Sequence, residues 1–151
     1  LFIFFILVAF GMTFYFQYQK GAIKEKQHEL LGQRAVDTTT LALFLPEISC
    51  SDGGTELIGN CFDMMKLRSI EGEDFLNKNL DAYYFDLFSY ATIKVHQLYP
   101  EPDEITLYHK EKPDWENKKA TFFVVTLRDE SAGSPGRPQF SFGYVEVAVY
   151  A

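Results

Sequence analysis

The chain has 151 residues, 47% hydrophobic and 17% aromatic, and its 21 acidic against 14 basic side chains leave a formal charge of −7. That composition excludes a wholly disordered polymer, because there is enough apolar surface for a core, and the acidic excess repels nucleic acid and anionic lipid. The length suits one modest domain beside a membrane-length segment.

The first element is LFIFFILVAFGMTFYFQYQK, in which no charge occurs before Lys20. Nineteen uncharged residues in a helix reach about 28 Å at about 1.5 Å each, close to the ~30 Å hydrocarbon core of a bilayer. A cleaved secretory signal would instead have a basic start, a shorter apolar core and a small-residue cleavage site. Here Tyr15-Phe16-Gln17-Tyr18-Gln19 follows the apolar stretch. Residues 1–20 are therefore expected to form a retained apolar helix. An ordinary anchor preceded by further residues is the simpler alternative.

Residues 21–45 continue with helical spacing, Ile23, Leu30, Leu31, Ala35, Leu41, Ala42 and Leu45 falling on one stripe before Pro46 stops the pattern. One rod of about 65 Å from residue 1 to about 44 is expected. Gly21 and Gly32 interrupt it at about 1 kcal/mol each relative to alanine and are candidate points of bending or local melting. Two helices joined near Gly21 are the alternative.

Cys50 and Cys61 flank Asp52-Gly53-Gly54 and Gly59-Asn60, residues that favour tight turns. The pair lacks the CxxC spacing of redox and zinc sites, and no histidine lies nearby to complete a metal set. A structural disulfide in an oxidising compartment is expected, with two buried free thiols as the alternative.

Within residues 46–151, FDMMKLRSI and EDFLNKNLDAYYFDLFSY read as a short and a longer helix. ATIKVHQLY, EITLYHK, TFFVVTLR and FSFGYVEVAVY read as strands separated by turn chemistry, giving an antiparallel sheet of about four strands. In the last strand Ser141, Gly143, Val145, Val147 and Val149 share one face and Phe140, Phe142, Tyr144, Glu146, Ala148 and Tyr150 the other. Both faces are largely apolar, which places that strand at the centre of the sheet or under cover on both sides. The fold class is thus α+β, a long N-terminal helix followed by a small domain of short helices and a sheet. His28, His96 and His109 are scattered, and no GxSxG, HExxH, P-loop or GxGxxG motif occurs. No catalytic residue, metal ligand or cofactor is assigned.

An apolar half-helix at the start, an amphipathic continuation to about Leu45, then a sheet domain with a disulfide-stapled loop is an order similar to that of type IV pilins and archaeal flagellins. Gln17-Tyr18-Gln19 resembles the polar residues found past the apolar half of pilin helices. In that superfamily a peptidase removes a short basic leader and leaves the apolar segment on the mature subunit, which implies that Leu1 is the processed end. Bacterial pilins usually carry glutamate at the fifth position, where this chain has Phe5, and archaeal filament subunits often lack it. The resemblance implies a structural subunit of an extracellular helical filament, held in the membrane before assembly, with itself as partner and cell or solid surfaces as targets, and no enzymatic role. Leu1, Phe2, Phe4, Phe5, Leu7, Val8, Phe10, Phe14 and Phe16 would then pack the filament core, and loops such as 129–138 would face outward. A single-span anchored accessory or binding subunit is the rival reading.

Overall fold

The computed structural model describes residues 2–51, 57–70, 81–132 and 137–151. Leu1, the Asp52-Gly53-Gly54 turn, the beginning of the longer expected helix and the tip of the 129–138 loop lie outside the described residues.

Helix α1 spans Phe2–Leu43 as one element, running through Gly21 and Gly32 without a break. Its buried residues are Leu31, Ala35, Thr38, Thr39, Ala42 and Leu43, spaced by threes and fours so that they line a single face. Only part of the expected stripe is used, since Ile23, Leu30 and Leu41 are exposed and two threonines take their place. Small side chains bring this face close to the sheet. The Thr39 hydroxyl bonds the Ala35 carbonyl at 2.7 Å and shares a 2.6 Å hydrogen bond with the Thr121 hydroxyl. The domain thus begins inside the helix, at Leu31.

The sheet corrects the expectation of four antiparallel strands. Six strands, β1 (Ser49–Ser51), β2 (Leu57–Asp63), β3 (Ala91–Gln97), β4 (Asp103–His109), β5 (Lys118–Asp129) and β6 (Gln139–Tyr150), lie in the order β1-β2-β5-β6-β3-β4. All neighbours are antiparallel except β2 and β5, which run parallel where Cys61, Phe62 and Asp63 meet Thr126, Leu127 and Arg128. The two unforeseen strands come from the cysteine loop. Glycine and asparagine are depleted in strands, and Asn60 has φ 56°, so residues 57–63 carry a turn signature that tertiary pairing overrides.

As expected, β6 is central, between β5 and β3. Ser141, Gly143, Val145, Val147 and Val149 are buried on its inner face, but Phe140 and Phe142 on the outer face are exposed. Cover on the outer face is confined to the end of the strand, where Ala148 and Tyr150 are buried.

Two short helices close the inner side. Helix α2, Met64–Ile70, starts where the Asp63 carboxylate accepts hydrogen bonds from the Met65 and Lys66 amides at 2.9 and 3.4 Å, an N-cap. Helix α3, Asp81–Phe88, contributes Tyr84 and Phe88, whose rings stack at 6.0 Å. Phe88 in turn meets Tyr108 of β4 at 5.5 Å. With Met64, Leu67, Ile93, Val95, Leu127 and the inner valines of β6 they form one core.

Candidate assembly and membrane surface

About eight turns of helix without burial need an explanation. Every residue from Phe2 to Leu30 in α1 is exposed, and exposure of the large apolar side chains up to Phe16 runs from 41% at Val8 to 80% at Phe2. Phe2, Phe4, Phe5, Leu7, Val8, Phe10, Phe14 and Phe16 are thus brought together on one uncovered rod, but on all its sides rather than along one stripe. Helices that are apolar all round belong in a protein interior or in lipid. Two polar side chains in this half are satisfied within the helix, as such surroundings favour. The Thr13 hydroxyl donates to the Phe10 carbonyl at 2.8 Å, and the Gln19 amide donates to the Tyr15 hydroxyl at 2.6 Å. By length and composition α1 can cross a membrane.

No Cβ added at Gly21 or Gly32 would meet another atom within 4 Å. Neither glycine is there to let a neighbour approach within the subunit.

Cys50 and Cys61 form the expected disulfide, closing eleven residues of sequence separation across β1 and β2. It ties the sheet edge beside α2. The position agrees with a domain on the oxidising side of a membrane.

His96 lies between Glu146, 3.2 Å from Nε2, and Glu104, 3.5 Å from Nδ1, with its ring stacked on Tyr144 at 4.5 Å. The two carboxylates sit on opposite edges of the ring, which suits a cross-strand clip and not a shared ion. Among the described residues no group of three or more His, Cys, Asp or Glu could hold a metal. Lys94 bonds Glu104 at 2.6 Å, which holds that carboxyl below the usual range.

Two surfaces escaped the sequence reading. The outer sheet face exposes Phe122, Val124, Phe140 and Phe142, readable in principle from the alternation of β5 and β6. A cleft of about 1100 Å3 lies between α1 and the 112–117 loop, lined among others by Lys24, Arg34, Lys112, Asp114 and Glu116. No local pattern announces it, because its walls are about eighty residues apart in sequence and meet only through the fold.

Compared with family models, curated proteins and solved structures, the chain matches none of them.

Proposed function

We propose that the protein is a pilin-like structural subunit of an extracellular helical filament, its bare half-helix resting in lipid before assembly and packing against equivalent helices in the filament core afterwards. One observation carries this reading: a single continuous helix whose last third is built into a domain and whose first half is apolar on every side and covered by nothing. A large side chain such as Phe gains about 1.5–3 kcal/mol when taken out of water, so this rod requires lipid or other helices. Exchange of lipid for helices gains much less, since both are apolar, and packing specificity has to direct it. The disulfide agrees with a domain that sits outside the cell. Contacts that repeat head to tail without closing generate the filament.

The test is electron microscopy of material sheared from source cells without detergent. Helical filaments roughly 50–100 Å wide, a core of ~10 Å helices wearing small domains, with this chain as main component are expected. Recovery of the chain only in detergent extracts would replace the filament with a permanently anchored domain.

A further inference from the structure

We propose that the outer face of the sheet docks a second copy of this chain, face to face across a two-fold axis. The inference goes beyond the filament reading and does not depend on it, because this face lies on the side of the sheet away from α1.

Strand register separates the two faces. Thr121, which hydrogen-bonds Thr39 of α1, pairs with Val147, and both lie on the inner face. The next pair, Phe122 and Glu146, therefore points outward, as do Val124 with Tyr144, Thr126 with Phe142, and Arg128 with Phe140. Phe122, Val124, Phe140 and Phe142 are 59–71% exposed. Since an aromatic side chain buries about 150–250 Å2 when covered, the three rings and Val124 offer on the order of 450 Å2. That is more than half of the ~800 Å2 that each partner gives to a standard interface. Thr126, Arg128, Tyr144 and Glu146, each half-buried, form its rim. An apolar centre inside a polar rim is how protein interfaces are built. The patch is also braced, because Phe122 meets Tyr144 edge to face at 5.9 Å and Tyr144 stacks on His96 at 4.5 Å. Side chains already held in place lose little freedom on docking.

Charge selects a second copy as the occupant. Arg128 stands at one end of the patch and Glu146 at the other, six residues apart in register, or about 20 Å at about 3.4 Å per residue. A two-fold axis that lies in the plane of contact and crosses the patch between them exchanges the two ends. Arg128 of each copy then meets Glu146 of the other, while the rings close on one another in between. The face is thus complementary to itself, as an isologous dimer requires. Stacked sheets lie about 10 Å apart, a gap that an arginine and a glutamate bridge from opposite sides. Within one copy Arg128 donates to the Ser51 carbonyl at 3.1 Å and to Glu130 at 2.7 Å. Two such bonds leave N–H donors of its five for a further carboxylate. The −7 of the whole chain repels a second copy, but over only about 8 Å at physiological salt.

Sedimentation equilibrium of the full chain in density-matched detergent reads the docking. The wild type should form dimers with a micromolar or tighter Kd. Phe140→Ser with Phe142→Ser should weaken them at least about tenfold while circular dichroism shows an unchanged fold. Arg128→Glu alone and Glu146→Arg alone should each weaken them similarly, since each sets like charges opposite one another. An equimolar mixture of these two variants should recover the dimer, because every end contact then joins opposite charges. Arg128→Glu with Glu146→Arg in one chain should recover it too. The two residues are too far apart within a copy for that rescue to be internal.

A wild type that stays monomeric overturns the proposal and leaves the face to a partner of another kind. Association that the paired serines leave unchanged belongs to α1 and overturns it as well. A mixture that dimerises no better than its components overturns the two-fold contact. Should the charge reversals disturb the fold, Arg128→Gln and Glu146→Gln test the same contacts, and dimerisation equal to the wild type in both has the same overturning force. Filaments are counted separately by microscopy, so failure here is distinguishable from failure of the filament reading.

Discussion

Gly143 is a place where one methyl group decides the packing of two strands. A Cβ there would collide with the His96 carbonyl oxygen of β3 and come within 2.9 Å of Leu127 Cδ1 on β5. The first of these is backbone and has little freedom to yield, so Gly143→Ala should cost about 2 kcal/mol and lower the midpoint of thermal unfolding by on the order of 8 °C, measured by circular dichroism. Asp129 makes the opposite case, a buried group held by its partners. Burial alone would raise its carboxyl, but the Ser131 hydroxyl and amide at 2.6 and 2.8 Å and the Arg68 guanidinium at 2.7 Å prevail and hold it below the ordinary carboxylate range. Because the folded value lies below the unfolded one, its contribution is complete above the unfolded pKa of about 3.9 and is lost as pH falls through the folded value. Asp129→Asn should therefore cost on the order of 2 kcal/mol at neutral pH and flatten the loss of stability below about pH 4 in urea titrations. Equal acid sensitivity in both proteins would remove Asp129 from that role. Tyr84 acts at the other end of the scale. Burial, then the Glu47 carboxylate that accepts its hydrogen bond at 3.0 Å, push its phenol above the usual range. Its stabilisation is present below the unfolded pKa of about 10 and lost above it, so Tyr84→Phe should soften the alkaline transition.

Elements were legible where a period was strong and illegible where pairing overrode propensity. Strands β3, β4 and β6 follow the alternation of Ile93-Val95, Ile105-Leu107 and Val145-Val147-Val149, and β6 takes the central place its apolar faces suggested. Strand β2 was hidden because Gly59 and Asn60 advertise a turn, and its partner β5 is more than sixty residues away. The Cys50–Cys61 bond is what holds this locally unfavourable stretch against β1. In the chain-entropy account, a loop of about a dozen residues closed by a disulfide is worth about 3 kcal/mol. Replacing both cysteines by serine, or adding reductant, should lower the unfolding free energy by that amount in guanidinium titrations. A change below about 1 kcal/mol would mean the strands hold without the bond. For α1 the question is why glycine occupies positions 21 and 32 when an added Cβ meets nothing. Within the subunit, alanine at Gly32 should stabilise the helix by about 1 kcal/mol. If the glycines serve bending or melting during assembly, the same change should also lower filament yield. Higher stability with undiminished filaments would remove the flexibility role.

At the scale of the molecule, the sequence displayed the exposed rod but not the cleft, and the reason is the same physics. A run from Phe2 to Phe16 without charge is local information, whereas Lys24 and Lys112 become neighbours only when α1 lies across β5 and β6. What the rod packs against is settled by separating apolarity from shape. Lipid is indifferent to side-chain outline, so Phe5→Ala with Phe10→Ala leaves a segment still apolar enough to insert. A helix bundle is sensitive to outline, and each lost ring leaves a cavity costing about 3–5 kcal/mol where neighbouring helices close on it. The alanine pair should therefore partition to membranes like the wild type yet yield filaments reduced at least tenfold, counted in micrographs of sheared material. Phe5→Asp with Phe10→Asp should fail at both steps, since each carboxylate at mid-membrane costs roughly 3 kcal/mol on the insertion scale. If the alanine pair forms filaments at wild-type yield, the half-helix does not pack as a core, and an anchor that never leaves lipid becomes the better account of the same bare rod.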